Sequence, residues 1–358
     1  MQLSLRKGFE PARGPGRGAS GRRLAGCGLR RPHRLRTRVS RLVSAIVLGL
    51  AAAAGAAQEL TIAVSRTPLS LPVFVAEAQK YFAEEGVAVA TRECIGGNRC
   101  IKLLLDGEVP LATASEMPVM FSSLSRSDFA IIATFVTSRR DVKLIARKSA
   151  GIATAADLSG KRIGTVKGTS AHYFLDLYLL FNAVDPNAVS LVALAPERIA
   201  VALRDGTVDA AAIWEPFANR SARALAGDGV VMPSARIYTT TFNLLASRKT
   251  ITEREADLVK VLRALARAQR FIRAQPQQAQ AILKQRLQED QAYIDATWAD
   301  YDFRLSLDQP LVSTLEGQAR WAVREAQVPR DTRVPNYLQF VAPAPLRKAE
   351  PAAVTLVQ

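Results

Sequence analysis

Histidine and cysteine are scarce in this sequence of 358 residues, which has two histidines and three cysteines. Beyond residue 57 only His172, Cys94 and Cys100 remain. A structural zinc site needs four ligands and acid–base catalysis most often uses histidine, so this composition argues against both. We therefore expect no catalytic residues, no metal site and no cofactor, and we interpret His172 as a pocket-wall or surface residue.

Cys94 and Cys100 lie close together, with five residues between them. In an oxidising compartment they could form a disulfide that closes a small loop. The alternative is two unrelated thiols, and the sequence alone leaves both open.

The motifs of nucleotide-binding enzymes and of hydrolases are also missing. The sequence has no Gly-x-x-x-x-Gly-Lys-Ser/Thr loop for phosphates and no Gly-x-Ser-x-Gly nucleophile elbow, and segment 160–164 lacks the full dinucleotide fingerprint. Beyond residue 57 no apolar run is long enough to cross a bilayer. These absences leave nucleotide hydrolysis and serine-based catalysis without support.

The formal net charge of +16 is concentrated at the start of the chain. Residues 1–57 hold twelve of the 48 Lys and Arg residues but one of the 32 acidic residues, which leaves 36 basic and 31 acidic residues elsewhere, a net charge of +5. A nucleic-acid-binding protein would concentrate positive charge on its folded surface. We therefore expect no nucleic-acid partner.

Residues 1–57 are typical of a basic leader that ends in a signal peptide. Arg38 and Arg41 precede an apolar stretch at 42–50, and small residues at 54–57 suit cleavage by a signal peptidase. A membrane anchor is the alternative, but the apolar part is short for a span. We predict export to the periplasm, and we interpret residues 1–38 as an over-long translation start.

Strand-like and helix-like segments alternate along the body of the chain. Short β-type runs lie at 60–64, 162–166 and 210–213, with helical spacing of apolar residues between such runs and most strongly at 255–274. This alternation predicts an α/β fold with largely parallel sheets and helices on their faces. The Pro/Ala-rich tail after Val341 is expected to fray.

Two further patterns make local predictions. The spacing predicts one helix over 73–85, ended by Gly86. A layout of helix, Asp-Gly stop, short turn and strand occurs twice, at 106–112 and at 205–210, which suggests two lobes built alike.

Four loops that join a strand end to a helix start carry glycine, serine, threonine or asparagine. Backbone N–H groups at a helix start are free to bind an anion, and small polar side chains add donors. In open α/β sheets these loops gather at the carboxyl ends of the strands, where ligands bind. Helix capping is the alternative for each loop, but four together favour a lined cleft. The loops are 65–67, 96–98, 113–115 and 168–170.

Trp214, Glu215 and Pro216 close another strand. A tryptophan face can form a pocket wall, and Glu215 could hold a ligand ammonium or a facing arginine. A buried tryptophan beside a capping acid is the alternative.

Several short segments follow one another in a recognisable order and spacing. They are Leu-Leu-Leu-Asp-Gly at 103–107, Leu-Ser-Gly-Lys-Arg-Ile-Gly at 158–164, Lys-Gly-Thr-Ser at 167–170, Ala-Leu-Arg-Asp-Gly-Thr-Val-Asp-Ala at 202–210 and Ile-Trp-Glu-Pro-Phe at 213–217. Over roughly residues 58–345 the chain thereby resembles the periplasmic substrate-binding proteins of importers for aliphatic sulfonates, nitrate and taurine. The thiamine-pyrimidine-precursor binding proteins are relatives of that family.

The resemblance implies a two-lobed periplasmic binding protein (type II) fold, each lobe a mostly parallel sheet flanked by helices, with a helical C-terminal part. Lobe 1 would comprise 58–145 plus 243–345, lobe 2 would comprise 146–242, and 346–358 would form a C-terminal tail. Members close over a small-molecule ligand by a hinge and deliver it to the permease of an ABC transporter. The resemblance assigns ligand contacts to these residues, in what we expect to be a monomer: Arg66, Thr67, Ser70, Gly97, Asn98, Ser115, Glu116, Gly168, Thr169, Ser170, Trp214 and Glu215.

Glu116 departs from the family, whose members often have a small residue there. An acid would repel a sulfonate but would receive a ligand amine, which favours a zwitterion such as taurine or a cationic pyrimidine over a simple alkanesulfonate. Two alternatives remain: a sensory binding protein that reports its ligand to a membrane kinase, and an enzyme on the same fold such as a thiamine-pyrimidine precursor synthase. The signal sequence and the single histidine of the body count against the enzyme.

Overall fold

The computed structural model describes residues 59–234 and 237–357, and every structural statement below concerns these residues. The predicted leader, signal peptide and translation start lie outside them. Eleven strands alternate with helices along the described chain. The strands are β1 (Leu60–Ser65), β2 (Val89–Cys94), β3 (Leu111–Ser115), β4 (Phe129–Ser138), β5 (Val142–Arg147), β6 (Arg162–Thr165), β7 (Ser190–Ala193), β8 (Ala210–Trp214), β9 (Gly229–Val231), β10 (Thr240–Ser247) and β11 (Tyr301–Asp302).

Thirteen α-helices of the described residues surround these strands, together with short 3₁₀ turns. They are α1 (Leu71–Ala78), α2 (Tyr81–Glu84), α3 (Gly97–Leu105), α4 (Glu116–Ser123), α5 (Ser170–Phe181), α6 (Ile199–Arg204), α7 (Phe217–Ala224), α8 (Arg248–Glu253), α9 (Glu255–Ala274), α10 (Pro276–Leu287), α11 (Gln291–Thr297), α12 (Gln309–Arg324) and α13 (Ala344–Ala349). In this part of the chain no helix combines the length and the apolar character that crossing a membrane requires.

The strands form two mixed sheets, each with its own hydrophobic core. The first sheet has the order β11-β4-β10-β3-β1-β2 and the second has the order β7-β6-β8-β5-β9. We call the part built on the first sheet lobe 1 and the part built on the second sheet lobe 2. In each lobe three parallel strands adjoin a strand that runs antiparallel to them, β10 in lobe 1 and β5 in lobe 2.

The predicted similarity of the two lobes is visible at their Asp-Gly turns. Asp106 caps the end of α3 and Asp205 caps the end of α6. The following residues, Gly107 and Gly206, have φ angles of 75° and 74°, a left-handed conformation that glycine adopts without steric cost. The chain then enters β3 in lobe 1 and β8 in lobe 2, so the repeated sequence layout marks equivalent positions in the two sheets.

The chain passes between the lobes twice, first between β4 and β5 and again between β9 and β10. The divisions expected from sequence, at 145/146 and at 242/243, fall inside β5 and β10. The chain instead passes from one sheet to the other between β4 and β5 and again between β9 and β10, because β5 pairs with β8 from Val142 to Ala146 and β10 pairs with β4 from Thr240 onward.

Helix α9 shows how an amphipathic pattern positions an element. The leucines and valines of this helix recur at helical spacing and are buried, among them Leu258, Leu262 and Leu265. Glu255 and Asp257 lie in its first turn and Arg273 in its last, which favours the helix dipole at both ends. The bounds Glu255–Ala274 are those that the sequence predicts.

Two local predictions were wrong. The helix predicted over 73–85 is interrupted, since Lys80 adopts a left-handed conformation (φ 59°) between α1 and α2. The tail after Val341 does not fray: α13 buries Leu346, and Val354 forms a bridge with Leu307. Apolar contacts with lobe 1 hold this tail, which composition alone did not predict.

Candidate ligand-binding cleft

A small cavity of about 20 Å³ lies where the two lobes meet. Residues of lobe 1, of lobe 2 and of the first connection between them form its wall, so neither lobe makes the cavity alone. This volume is far below the roughly 300–1,000 Å³ of pockets for drug-sized ligands and has room for about one water molecule. The wall consists of Ser65, Thr67, Leu69, Gly97, Ser115, Asp141, Ser170, Trp214, Thr240 and Phe242.

Two helix starts reach this cavity from opposite lobes. Gly97 is the first residue of α3 in lobe 1, and Ser170 is the first residue of α5 in lobe 2. The first backbone N–H groups of a helix have no partner within it and carry partial positive charge. The hydroxyls of Ser115 and Ser170 make no hydrogen bond to other described residues, so both remain available. This end of the site is therefore equipped to receive an anion.

Gly97 is needed for the close approach of α3 to the sheet. A Cβ at this position would lie 2.8 Å from the Cα of Ala114 and 3.1 Å from its Cβ. Any larger residue would push the helix start away from the end of β3, and with it the free N–H groups that face the cavity.

Three predicted hydroxyls are engaged by backbone carbonyls. Thr67 donates to the carbonyl oxygen of Glu215 at 3.3 Å, a contact between the lobes, and Thr67 still lines the cavity. Ser70 donates to Ser65 at 2.6 Å, and Thr169 donates to Val166 at 2.6 Å. The hydroxyls of Ser70 and Thr169 shape the loops that hold the site and do not form the cavity wall.

Three other predicted residues do not form the cavity wall either. Arg66 points elsewhere and donates to the carbonyl oxygens of Arg286 and Leu287. Asn98 lies exposed in the first turn of α3. Gly168 has a φ of 74° and donates its N–H to His172 Nδ1 at 3.4 Å.

Glu116 does not enter the cleft, although the expectation of a cationic ligand group depended on it. Its carboxylate is completely buried in lobe 1 and accepts hydrogen bonds from the N–H and hydroxyl of Thr241, at 2.8 and 3.0 Å, and from Gln318 at 3.2 Å. Burial raises the pKa of Glu116 to about 7, against the lowering effect of these donors.

Glu215 is likewise turned away from the cavity. One carboxylate oxygen lies 2.6 Å from Lys143 Nζ, and the other accepts the N–H of Asn219 at 3.2 Å. Burial raises the pKa of Glu215 and the neighbouring Lys143 lowers it, with a net rise. Trp214, the residue before it, lines the cavity, as expected if its ring forms a pocket wall.

Asp141 is a cavity residue that sequence reasoning missed. It lies in the first connection between the lobes, three residues after β4 ends, and it is 1% exposed. Burial, and next the charge of Glu215, raises its pKa well above the ordinary value. The predicted ligand residues lie in loops that follow strands, whereas Asp141 precedes a strand. In the sequence, the only indication of this residue is an acid at the end of the Ser-Arg-Arg-Asp segment at 138–141.

His172 is neither exposed nor part of the cavity wall, which corrects the expectation from sequence. It is buried on α5, with its ring centroid 5.4 Å from that of Trp321 of lobe 1. Burial, and next the charge of Lys167, lowers its pKa to about 4, so its imidazole is neutral at pH 7. Within the described residues no three His, Cys, Asp or Glu side chains are grouped to hold a metal ion.

A disulfide joins Cys94 to Cys100, which decides between the two alternatives that the sequence left open. Cys94 ends β2 and Cys100 lies in the first turns of α3, with the two Cα atoms 5.6 Å apart. The bridge therefore fixes the loop that carries Gly97 to the cavity.

Solved structures place this architecture in a known fold. The alkanesulfonate-binding protein SsuA of Xanthomonas axonopodis pv. citri, bound to MOPS, superposes with a TM-score of 0.71 at 20% identity, over 80% of this chain and 98% of that one. The desulfurization enzyme DSZB superposes with a TM-score of 0.59 at 16% identity, over 82% and 99%. These likenesses confirm the two-lobed periplasmic binding protein fold. Because an enzyme shares it, the fold by itself does not separate binding from catalysis.

Sequence comparison identifies the family. The taurine-binding periplasmic protein of Escherichia coli (strain K12) is 26% identical over 220 residues, which cover 60% of this chain and 67% of that protein. The family model described as NMT1/THI5 like matches residues 67–279, more than half of the chain. The chain therefore belongs to the NMT1/THI5 like family, and its relatives are periplasmic substrate-binding proteins.

Proposed function

We propose that this protein is an extracytoplasmic solute-binding protein that captures a small anionic or zwitterionic organic molecule, such as a sulfonate or taurine, and does not act as an enzyme. The observation that carries the proposal is the cavity shared by the two lobes, where the starts of α3 and α5 and two free serine hydroxyls converge. Donors arranged in this way receive an oxyanion without a metal or a cofactor. The name of the taurine-binding relative supports this ligand class.

Hinge closure over the ligand is part of the proposal. The chain crosses between the lobes at 139–141 and again between β9 and β10, and several contacts join the lobes near the cavity. Arg99 of lobe 1 lies 2.6 Å from Glu197 of lobe 2, and Trp321 Nε1 of lobe 1 donates to Asp176 of lobe 2 at 3.1 Å. Such contacts stabilise a closed arrangement that would retain a ligand.

The same proposal includes export and delivery. We infer that the protein works in the periplasm as a monomer, that residues 1–57 direct its export, and that it hands its ligand to the permease of an ABC transporter in the inner membrane. The periplasmic location of the taurine-binding relative supports this placement.

A thermal-shift screen of purified residues 58–358 tests the binding function. A ligand that binds only the folded state stabilises it by about 2.7 kcal/mol at a concentration of 100 Kd, so the correct ligand raises the melting temperature clearly. The panel comprises taurine, alkanesulfonates, nitrate, carboxylates and aminopyrimidines. The absence of a shift with every compound, together with no co-purified ligand in mass spectrometry, would refute the proposal.

A pair of substitutions localises the site. Ser170→Leu places an apolar side chain in the cavity wall and should abolish the shift, whereas Ser125→Leu makes the same change on the exposed surface of lobe 1 and should preserve it. Retained binding in Ser170→Leu would move the site away from this cavity.

A further inference from the structure

Asp141 is a buried acid without a cationic partner in the cavity wall. Its Oδ1 accepts a hydrogen bond from the hydroxyl of Tyr301 at 3.2 Å, and its backbone oxygen accepts the N–H of Glu215 at 3.1 Å. Among the described residues its Oδ2 accepts no hydrogen bond, and no Lys, Arg or His forms an ion pair with it. An ionised carboxylate buried in this way is costly unless a positive group meets it.

The cations near Asp141 are already committed to other acids. Lys143 Nζ lies 2.6 Å from Glu215 and 3.5 Å from Asp300, and Arg140 lies 3.5 Å from Asp300. Two positive charges therefore accompany three carboxyl groups in this region. The carboxyl group left without a partner is the one that faces the cavity.

The same cavity has donors for a negative group at its other elements. The starts of α3 and α5 and the hydroxyls of Ser115 and Ser170 supply N–H and O–H donors, while Trp214 and Phe242 supply apolar surface. A ligand that satisfied the whole wall would carry one anionic group, one cationic group and a short apolar link between them.

We propose that Asp141 binds the ammonium group of the ligand, and that the site therefore selects a small zwitterion with a primary amine and a sulfonate or carboxylate. This inference rests on the proposed function and narrows its ligand class.

A competing arrangement makes the opposite prediction. Asp141 could keep its proton and donate a hydrogen bond to an oxygen of a simple anion, in which case its charge has no role. Asp141→Asn separates the two arrangements, because asparagine has nearly the same shape and retains a donor but never carries negative charge.

Calorimetric titration of the wild type and Asp141→Asn with taurine and with 2-hydroxyethanesulfonate provides the test. These probes differ only in an amine against a hydroxyl group. The wild type should prefer taurine, and Asp141→Asn should lose roughly a hundredfold in taurine affinity, in line with losing one partner of a buried charge pair, while its affinity for 2-hydroxyethanesulfonate is retained. Equal taurine affinity in both proteins, or no preference in the wild type, would overturn the role of Asp141.

A second measurement avoids any substitution. If Asp141 holds a proton in the free protein, the arriving ammonium group displaces it, and taurine binding releases protons whereas 2-hydroxyethanesulfonate binding does not. Titrations in buffers of different ionisation enthalpy measure this release. The titratable and charged groups that surround Asp141 are Glu215, Lys143, Asp300, Tyr301 and Tyr293. The inference would be refuted, but the binding function would stand, if taurine bound without proton release from pH 5 to pH 8 and Asp141→Asn kept its affinity for taurine. Both would be overturned if the wild type bound no compound of the panel.

Discussion

The ion pair between Lys143 and Glu215 lies beside the cavity, and Lys143→Met tests how much the pair stabilises the fold. Its two charged atoms are 2.6 Å apart, the side chain of Glu215 is 1% exposed and that of Lys143 is 18% exposed. Methionine keeps the length and apolar stem of lysine but leaves Glu215 buried without its cation. Removing one partner of such a pair costs about 3–5 kcal/mol, a large fraction of the roughly 5–15 kcal/mol that stabilise a typical domain.

Chemical denaturation followed by circular dichroism measures this cost. We expect Lys143→Met to lower the free energy of unfolding by about 3–5 kcal/mol at pH 7. The difference from the wild type should shrink as the pH falls, because the pKa of Glu215 is already raised and protonation removes the uncompensated charge. The double variant Lys143→Met/Glu215→Leu should recover most of the loss, since it removes the carboxylate that lost its cation while Arg140 still accompanies Asp300.

An exposed pair with the same geometry provides the control. Lys102 and Asp106 are also 2.6 Å apart, but their side chains are 72% and 40% exposed. Lys102→Met should therefore change stability little. If Lys143→Met were no more destabilising than Lys102→Met at pH 7, or if the double variant were less stable than the single one, the reasoning from burial would be wrong.

Three further predictions concern Glu116, the disulfide and the glycine at the start of α3. The pKa of Glu116 is raised from 4.5 to about 7 in the folded protein, so its stabilising contribution is complete below pH 4.5 and is lost as the pH rises through about 7. In a pH series of melting temperatures, Glu116→Gln should therefore gain stability relative to the wild type over this range. A difference that stays constant with pH would contradict this. Reduction of the Cys94–Cys100 disulfide opens a loop with a sequence separation of six and should lower the free energy of unfolding by about 2 kcal/mol and weaken ligand binding. Equal melting temperatures with and without reductant would show that the disulfide contributes nothing to stability. Gly97→Ala brings a Cβ within 2.8 Å of the β3 backbone and should destabilise the fold by about 1–3 kcal/mol. In Gly317→Ala the new Cβ meets no atom within 4 Å, and this variant should stabilise the fold by about 0.4–1 kcal/mol. Unfolding titrations that rank the two variants in the reverse order would refute this steric argument.

Much of the fold follows from local sequence patterns. The alternation of strands and helices, the bounds of the helix at 255–274 and the repeated Asp-Gly turns were all predictable, because each depends on residues within one or two turns of each other. The break at Lys80 was not, since no glycine or proline marks it. The points where the chain crosses between lobes were also displaced by a few residues, because strand pairing between distant segments decides them.

The cleft likewise contains residues that the sequence predicted and residues whose position it did not predict. Gly97, Ser115, Ser170 and Trp214 were predicted from their position after strands, and the structure brings all four to one cavity. The two acids that suggested a cationic ligand group, Glu116 and Glu215, lie outside that cavity and have their own partners.

By itself the sequence determined an α/β chain with two similar lobes and with small polar loops at the strand ends, because backbone conformation and apolar periodicity are local properties. Only the tertiary structure decided which charges face the ligand. Lys143 and Glu215 are 72 positions apart, and their pairing leaves Asp141 as the acid without a cation. The free energy of a buried charge depends on the partner that folding brings to it, and that partner is set by the arrangement of both lobes.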